Sequence, residues 1–340
     1  MLHTSDFDFE LPNELIASHP LEKRDASRML VVSGDKIQDK YIHDFIPYLQ
    51  PGDVVVFNNS KVIPARFDAS GHEITLHTSV TDKNWWGLCK KFNKINIGDI
   101  LNMPDGTKIK VIDKDEESGL LLEFNCDNVF ELLDKYGKMP LPPYMKREEE
   151  SADRERYQTV YAEPLGSMAA PTAGLHFTDE LLSAIEKAGA KIVKVTLHVG
   201  AGTWMPVKTE NLNEHKMHSE WCCITEEQAE IINNAKRVIA VGTTSMRTLE
   251  SAHKLATEAG QNKRVLPICQ TTNIFITPGY KFGAVDVLLT NFHLPKSTLF
   301  MLVSAFSGLD EMKSAYAHAV LEKYRFFSYG DCCLLFRKEV

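Results

Sequence analysis

From residue 157 onward, helical and strand-like segments alternate along the chain, and this alternation constrains the fold more than any other feature. The segment "TDELLSAIEKAGA" has helical spacing and starts at Thr178, a favourable N-cap. The segment "KIVKVTLHV" that follows puts apolar residues on one face of a strand, from Val193 to Val199. A capping box, Thr225 with Gln228, opens the next helix, "TEEQAEIINNAKR". This order of elements predicts an α/β fold, with a parallel or mixed sheet wrapped by helices.

The region from 66 to 155 has a different pattern. "HEITLHT", "TKIKVID" and "GLLLEFN" are short alternating strand-like runs separated by turns, with one helical segment, "NVFELLDKYG", among them. The region ends in "KMPLPPYMKREEESADRERY", which we interpret as a proline turn and a polar linker. The strand "DVVVFNN" at 53–59 belongs with the later pattern. The sequence therefore predicts a small β-rich domain, 66–155, inserted in a discontinuous α/β domain, 1–65 and 156–340. Ligands should bind beyond the C-terminal ends of its strands.

The overall charge argues against a general nucleic-acid binder. The 340 residues carry a formal net charge of −8, so a polyanionic partner would have to be held by local basic clusters. The N-terminal "MLHTSDFDFELP" lacks a signal pattern, and the apolar run "STLFMLVSAFSG" is too short to span a bilayer. We therefore expect a cytoplasmic protein without a membrane partner.

The seven cysteines include two vicinal pairs and no C-x-x-C motif. An odd number in this arrangement argues against both a disulfide framework and a zinc ribbon. We expect Cys222, Cys223, Cys332 and Cys333 to be small apolar residues in strands.

Two stretches are rich in small residues. "AAPTAGLHFT", at 169–178, buries too little apolar surface to be explained by core packing, which favours close approach of a ligand. In "LHVGAGTWMPV", the turn from Gly200 to Gly202 lacks the third glycine and the helix of a dinucleotide fingerprint. It fits either backbone approach to a ligand or a plain tight turn. His198 lies on the face opposite the apolar residues of its strand, toward solvent or a polar cavity.

The segment "VGTTSMRTLES" places three hydroxyl residues, Thr243 to Ser245, at the start of a helix. The free N–H groups and the dipole of a helix N-terminus favour an anion such as a carboxylate or phosphate. Arg247 and Glu250 are three residues apart, so they share a helix face, either as an exposed ion pair or as ligand contacts.

The histidines do not form a metal-binding pattern. No H-E-x-x-H motif is present, and His176, His198 and His293 are far apart without acidic companions. A serine nucleophile is also disfavoured, since no G-x-S-x-G elbow occurs. The sequence therefore predicts no metal site.

Several blocks together resemble the S-adenosylmethionine:tRNA ribosyltransferase-isomerase family of queuosine biosynthesis. They are "FDFELPNELIASHPLEKRDASRML", "YAEPLGSMAAPTAGLHFT", "VTLHVGAGTWMPV", "VGTTSMRTLES", "TNFHLPKSTLFMLVSAF" and "YRFFSYGDCCLLF". The resemblance covers nearly the whole chain in order, with slight local departures in "AEPLGSMAAPT" and "SYGDCC". It implies a barrel-like α/β main domain interrupted by a small β-barrel domain.

The resemblance also implies a reaction. The ribosyl part of S-adenosylmethionine would be transferred and isomerised onto 7-aminomethyl-7-deazaguanine at the wobble position of a tRNA. Epoxyqueuosine-tRNA would form, and adenine and methionine would leave. S-adenosylmethionine is then a consumed substrate, no separate cofactor is expected, and the partners are S-adenosylmethionine and tRNA. We expect a monomer.

This chemistry requires proton-transfer groups, for which His176 or His198 is the first candidate and His293 the third; each of them fits equally a structural histidine. Arg247 and the turn at Thr243 are candidates for the methionine carboxylate. The full set of expected substrate-binding residues is Thr172, Gly174, Gly200, Gly202, Thr203, Thr243, Thr244, Ser245, Arg247, Glu250, Asn291, Lys296, Tyr329 and Asp331. The expected tRNA-binding residues are Arg24, Arg28, Lys61 and Arg66, whereas the charge run at 145–156 is interpreted as a solvated face.

Two other functions fit parts of the sequence. A non-catalytic RNA-binding module could stack bases on Trp85 and Trp86 of the β-rich region. A metal-dependent hydrolase could use the scattered histidines.

Overall fold

The computed structural model describes residues 2–116, 118–200, 207 and 209–338. Its strands are β1 (Arg28–Ser33), β2 (Lys36–Tyr41), β3 (Val54–Asn58), β4 (Lys61–Val62), β5 (Arg66–Ala69), β6 (His72–Ser79), β7 (Asn84–Cys89), β8 (Ile100–Asn102), β9 (Lys108–Asp115), β10 (Gly119–Phe124), β11 (Leu165–Ser167), β12 (Lys191–Leu197), β13 (Glu220–Ile224), β14 (Val238–Val241), β15 (Ile268–Thr272), β16 (Val287–Asn291) and β17 (Cys332–Phe336). Its α-helices are α1 (Val129–Tyr136), α2 (Asp153–Arg156), α3 (Asp179–Lys187), α4 (Glu226–Asn233), α5 (Thr243–Glu258), α6 (Thr298–Ser307) and α7 (Leu309–Leu321). Short 3₁₀ helices include Arg24–Ala26, Ile42–Tyr48 and Thr172–His176.

A large mixed sheet forms the main body. Among the described residues it has nine strands, in the order β15-β13-β12-β3-β14-β16-β17-β1-β2. The central strands β12, β3, β14 and β16 are parallel. The predicted mixed sheet, with the strand at 53–59 inside it, is therefore confirmed. The implied barrel-like closure is not seen in the described strands, because β15 and β2 are edges and β2 has the mostly exposed pattern of an edge strand.

Both faces of this sheet are covered. Along β3, Val54 and Val56 join one hydrophobic cluster with residues of α4 to α7, and Val55 and Phe57 join a second cluster with α3. Successive side chains of a strand point to opposite faces, so a strand buried on both faces needs a continuous apolar run. This explains "VVVF" at the centre of the sheet. No helix among the described residues is long and apolar enough to cross a membrane.

The second sheet is antiparallel and local in sequence. Its order is β5-β6-β7-β10-β9-β8, and the turn after β5 is hydrogen bonded to the end of β8, from Ser70 N–H to Asn102 C=O at 3.0 Å, so the sheet is nearly closed. Its hydrophobic core takes all its buried residues from 63 to 133, including the predicted helix α1. Trp85 lies in this core against Phe130, so it is not available for base stacking as the RNA-binding alternative requires.

The segment from 138 to 157 is not the polar linker that the sequence predicts. Asp153 is buried and accepts two hydrogen bonds from the guanidinium of Arg147, at 2.6 and 2.7 Å. Arg147 also donates to the carbonyl of Ser18, and Arg156 to that of Leu21. Charged residues that were interpreted as a solvated face therefore hold the N-terminal segment against the body of the protein.

Three of the four vicinal cysteines agree with expectation. Cys222, Cys332 and Cys333 are buried in strands and carry free thiols. Cys223 differs: it is joined by a disulfide to Cys269, its direct neighbour across β13 and β15.

Candidate active site

A cavity of about 460 Å³ opens at the C-terminal ends of the parallel strands β14 and β16. This is where open α/β sheets bind ligands, and the volume is in the usual range for small-molecule sites. The lining consists of residues 169–173, 242–244 and 290–299, together with Tyr144, Tyr157, Val199, Val207, Phe327 and Ser328.

Two helix N-termini reach this cavity. Gly242 has a φ of +89°, which suits glycine, and it turns the chain from β14 directly into α5 at Thr243. The second N-terminus is that of α6, where Ser297 caps the helix by accepting the N–H of Phe300. Unpaired N–H groups and the helix dipole make such ends suitable for an anionic group. Lys296 also lines the cavity, although it pairs with Asp8 at 2.8 Å.

Hydrogen-bonding capacity is left unused around the cavity. The hydroxyl oxygen of Thr244 and the side-chain oxygen of Asn291 are buried and have no partner among the described residues. A buried polar atom without a partner costs about 1–3 kcal/mol. Each of these atoms is covered by its neighbours in this structure. The cavity wall therefore contains polar atoms that could form hydrogen bonds with a ligand.

His293 is the one of the three candidate histidines that lines the cavity. Its Nε2 lies 3.2 Å from the hydroxyl of Thr290, and its backbone N–H donates to the hydroxyl of Tyr316. Burial lowers the pKa of His293 to about 3, so its ring is neutral at neutral pH.

His176 lies behind the cavity wall and not in it. Its ring is buried between the hydroxyl of Ser27, 2.9 Å from Nδ1, and the amide nitrogen of Asn291, 3.1 Å from Nε2. Burial, with the charges of Arg24 and Arg325, lowers its pKa to about 4. Because the amide of Asn291 donates, Nε2 accepts, and His176 is connected to the cavity through Asn291.

His198 occupies a third environment. Its Nδ1 is 2.7 Å from the hydroxyl of Ser60, and its ring stacks on Trp221 with centroids 5.3 Å apart. Burial lowers the pKa of His198 as well. It does not belong to the described lining of the cavity.

The small-residue stretch does form a cavity wall, from Ala169 to Ala173, and Thr172 lies in it. Gly174 is small for another reason: a Cβ at this position would lie 2.0 Å from the hydroxyl of Tyr161. The N–H of Gly200 donates to the carboxylate of Glu220. The predictions for Gly202 and Thr203 lie outside the described residues.

Arg247 and Glu250 do not pair with each other. Arg247 forms a buried ion pair with Glu220, on the neighbouring strand β13. The carboxylate of Glu250 accepts the N–H groups of Gly283, Ala284 and Val285, while burial raises its pKa. Neither residue lines the described cavity. Ser245, also expected at the ligand, instead donates to the carbonyl of Val241.

Two further candidates hold the C-terminal segment. Asp331 is buried and accepts the backbone N–H groups of Arg28 and Arg325. The hydroxyl of Tyr329 donates to Asp153 at 2.9 Å. Tyr329 lines a small cleft together with Arg24, Arg156 and His176, and not the large cavity.

The four basic residues expected at tRNA lie in different surroundings. Arg24 lines the small cleft, where burial and then the charge of Arg156 lower its pKa. Arg28 stacks on Tyr324, with its guanidinium carbon 3.7 Å from the ring centroid. Lys61 is exposed on β4, and Arg66 pairs with Glu148 beside the antiparallel sheet. Among the described residues, no group of three or more His, Cys, Asp or Glu side chains could hold a metal ion.

Sequence reasoning missed the aromatic part of the lining. Tyr144 and Tyr157 come from the supposed linker, and Phe327 and Ser328 lie just before the cysteine strand β17. Two of them, Phe327 and Ser328, fall within the block "YRFFSYGDCCLLF", which was a signal available in the sequence. No periodicity marks Tyr144 or Tyr157, because Tyr144 lies in a 3₁₀ helix of three residues, Pro143–Met145, and Tyr157 caps the four-residue helix α2.

The fold and the cavity define a mixed α/β protein with a small-molecule site at the C-terminal ends of its parallel strands. The profile of the family "Queuosine biosynthesis protein" matches residues 4–335. The chain therefore belongs to the queuosine biosynthesis protein family.

Individual relatives agree with this family. A protein of Rickettsia bellii (strain OSU 85-389), named S-adenosylmethionine:tRNA ribosyltransferase-isomerase, is 50% identical over 98% of this chain and 99% of its own length. The protein of the same name from Parvibaculum lavamentivorans is 48% identical with the same coverage. The crystal structure of the S-adenosylmethionine tRNA ribosyltransferase of Thermotoga maritima covers 97% of this chain and 99% of its own, at 33% identity and a TM-score of 0.55.

Proposed function

We propose that this protein transfers and isomerises the ribosyl moiety of S-adenosylmethionine onto 7-aminomethyl-7-deazaguanine at the wobble position of tRNA. The product is epoxyqueuosine-tRNA, and adenine and methionine are released. Its family and the name shared by its relatives support this activity.

The observation that carries the proposal is the convergence of four distant sequence blocks on one cavity. Residues 169–173, 242–244, 290–299 and 327–328 all line it, and each belongs to a block that resembles the ribosyltransferase-isomerase family. A site that must hold a sulfonium nucleoside and a tRNA base needs tight positioning and little water.

Anion binding at the helix N-termini accounts for one end of the substrate. The carboxylate of the methionine part is held at the start of α5, by the N–H groups near Thr243 and Thr244. The hydroxyl of Thr244, which has no described partner, is available to the same group.

His293 is the proton-transfer group best supported by its position. The positive sulfur acidifies the adjacent ribose 5′-carbon, and the neutral ring of His293 accepts the proton that leaves. The protonated ring then delivers this proton to departing adenine. S-adenosylmethionine is consumed, and the proposal includes no metal and no separate cofactor.

The tRNA backbone is held at the small cleft of Arg24 and Arg156. Burial and then the charge of Arg156 lower the pKa of Arg24, so two guanidinium groups lie close together here and attract a phosphate. A wobble base is single-stranded and can be turned out of its loop into a pocket. Local contacts of this kind do not require a basic protein overall.

Residues 66–155 act as an inserted domain in an α/β domain formed by 1–65 and 156–340. Support comes from the hydrophobic core of the antiparallel sheet, because all the buried residues of this core lie between residues 63 and 133.

The test is incubation with S-adenosylmethionine and tRNA that carries 7-aminomethyl-7-deazaguanine. Free adenine should appear in proportion to modified tRNA, by chromatography and nucleoside mass spectrometry. Absence of adenine release by protein that binds both substrates would disprove the proposed reaction.

A further inference from the structure

Two aromatic rings of the cavity wall have no role in the mechanism above. Tyr144 and Phe327 both line the cavity, are partly exposed, and lie with their ring centroids 4.0 Å apart. Tyr144 is tied by its hydroxyl to that of Ser328. The two ring planes are tilted by 53°, so the pair is a fixed aromatic surface of two inclined rings, in a cavity that the small residues Ala169 and Ala170 also line.

The backbone of Phe327 is strained. Its φ is +77°, in the left-handed region that a bulky aromatic residue rarely adopts. Hydrogen bonds hold it there, since its N–H donates to the carbonyl of Phe292 and its carbonyl accepts from Asn291 and Gly330. Strained residues that the surrounding structure keeps in place are concentrated at ligand clamps.

The segment that carries Tyr144 is also held firmly. The buried pair of Arg147 and Asp153 follows it directly, and Tyr329 donates to the same carboxylate. Burial raises the pKa of Asp153, but its hydrogen bonds with Arg147, the N–H of Glu150 and Tyr329 outweigh this and lower the pKa. The carboxylate stays charged, so both halves of the aromatic surface are fixed to one another through charged and neutral hydrogen bonds.

We propose that Phe327 and Tyr144 form a stacking platform for a planar heteroaromatic base. A planar base can stack on one ring of this inclined pair while its edge meets the other ring, an arrangement that an aliphatic chain cannot use in the same way. This inference rests on the proposed function, which brings two such bases to the site: the adenine of S-adenosylmethionine and the 7-deazaguanine of the tRNA.

Phe327→Leu tests the platform, because it keeps an apolar side chain and removes the ring. Stacking on an aromatic side chain contributes about 1–3 kcal/mol per base, so the affinity for the stacked ligand should fall roughly 5- to 150-fold. Phe327→Tyr should recover most of this loss. The matched control is Phe282→Leu, which removes another half-buried ring that lies outside the cavity lining.

Two binding measurements separate the two bases. S-adenosylmethionine is titrated by calorimetry without RNA, and an anticodon stem-loop carrying 7-aminomethyl-7-deazaguanine is titrated by fluorescence anisotropy. A loss of affinity for S-adenosylmethionine identifies adenine as the stacked base, and a loss of affinity for the stem-loop identifies the tRNA base. A loss of affinity for both ligands indicates that both bases stack there. Affinities in both titrations equal to those of Phe282→Leu would overturn the platform.

Thermal melting of each variant shows whether it is folded, and Tyr144→Leu replaces Phe327→Leu if the latter does not fold. The outcome is separable from that of the proposed function. If the wild-type protein binds both ligands but releases no adenine, the proposed reaction is wrong. The two titrations still show whether a base stacks on Phe327 and Tyr144.

Discussion

The two sheets of this protein are assembled from the chain in different ways. The antiparallel sheet builds its core from one continuous stretch and contributes no residue to the described lining of the cavity at the ends of β14 and β16. The mixed sheet gathers its strands from residues 28 to 336, and its loops form the cavity. Local pairing gives a self-contained core, whereas assembly from distant segments brings loops together at one edge. The chemistry should therefore depend on the mixed sheet and its loops, while both sheets should contribute to stability.

The largest expected effect comes from His293→Gln. Loss of a positioned proton-transfer group typically lowers kcat by about 10²–10⁴-fold, and glutamine retains a hydrogen-bonding group near Thr290. Adenine release under saturating substrates is the measurement. His77→Gln, in the antiparallel sheet, is the control and should leave kcat unchanged. Equal losses of kcat in both variants would contradict the expectation that the chemistry depends on the mixed sheet and not on the antiparallel sheet.

Arg147→Met should be the largest change in stability. It leaves the buried carboxylate of Asp153 without its ion-pair partner, which typically costs roughly 3–5 kcal/mol. Urea unfolding monitored by circular dichroism measures it. Lys90→Met breaks an exposed pair with Glu73 on the antiparallel sheet and should change stability by less than about 1 kcal/mol. A comparable loss in both would show that Arg147 does not act through a buried pair.

Acid should weaken the protein through the buried histidines. The pKa of His176 is about 4 in the folded state and 6.5 in an unfolded chain, so the unfolded chain binds the proton first as the pH falls. The lowered pKa of His176 therefore contributes about 3 kcal/mol to the free energy of unfolding. This contribution is fully present above pH 6.5 and is lost as the pH falls toward 4. Unfolding free energies measured from pH 7 to 4 should fall less steeply for His176→Asn than for the wild type.

The smallest effect is expected for a single phosphate contact. Arg24→Ala should reduce the slope of log K for tRNA against log salt concentration by about one, with a modest loss of affinity. Lys110→Ala, an exposed position on the antiparallel sheet, is the comparison. If only Lys110→Ala changes the slope, the tRNA lies on the antiparallel sheet and not at the cleft of Arg24.

Periodicity predicted the elements of both sheets well, because alternation along β6, β9 and β10 and the buried run of β3 follow from which faces are covered. The cavity wall at 169–173 and the turn into α5 could also be predicted, since small residues and helix starts are local signals. The ion pair of Arg147 and Asp153 could not, because a dense charge run has the same composition whether it is solvated or buried. Gly174 and Arg247 were misleading for the same reason: their partners, Tyr161 and Glu220, are distant in sequence.

The position of β17 has a consequence for synthesis. This strand lies between β16 and β1. The edge of β1 that does not pair with β2 therefore stays unpaired until residue 336 has been made. The antiparallel sheet, complete by residue 124, can fold on the ribosome long before then. The nascent chain thus carries one open edge on the apolar strand β1 through most of its translation, and this edge can pair with another chain until β17 covers it.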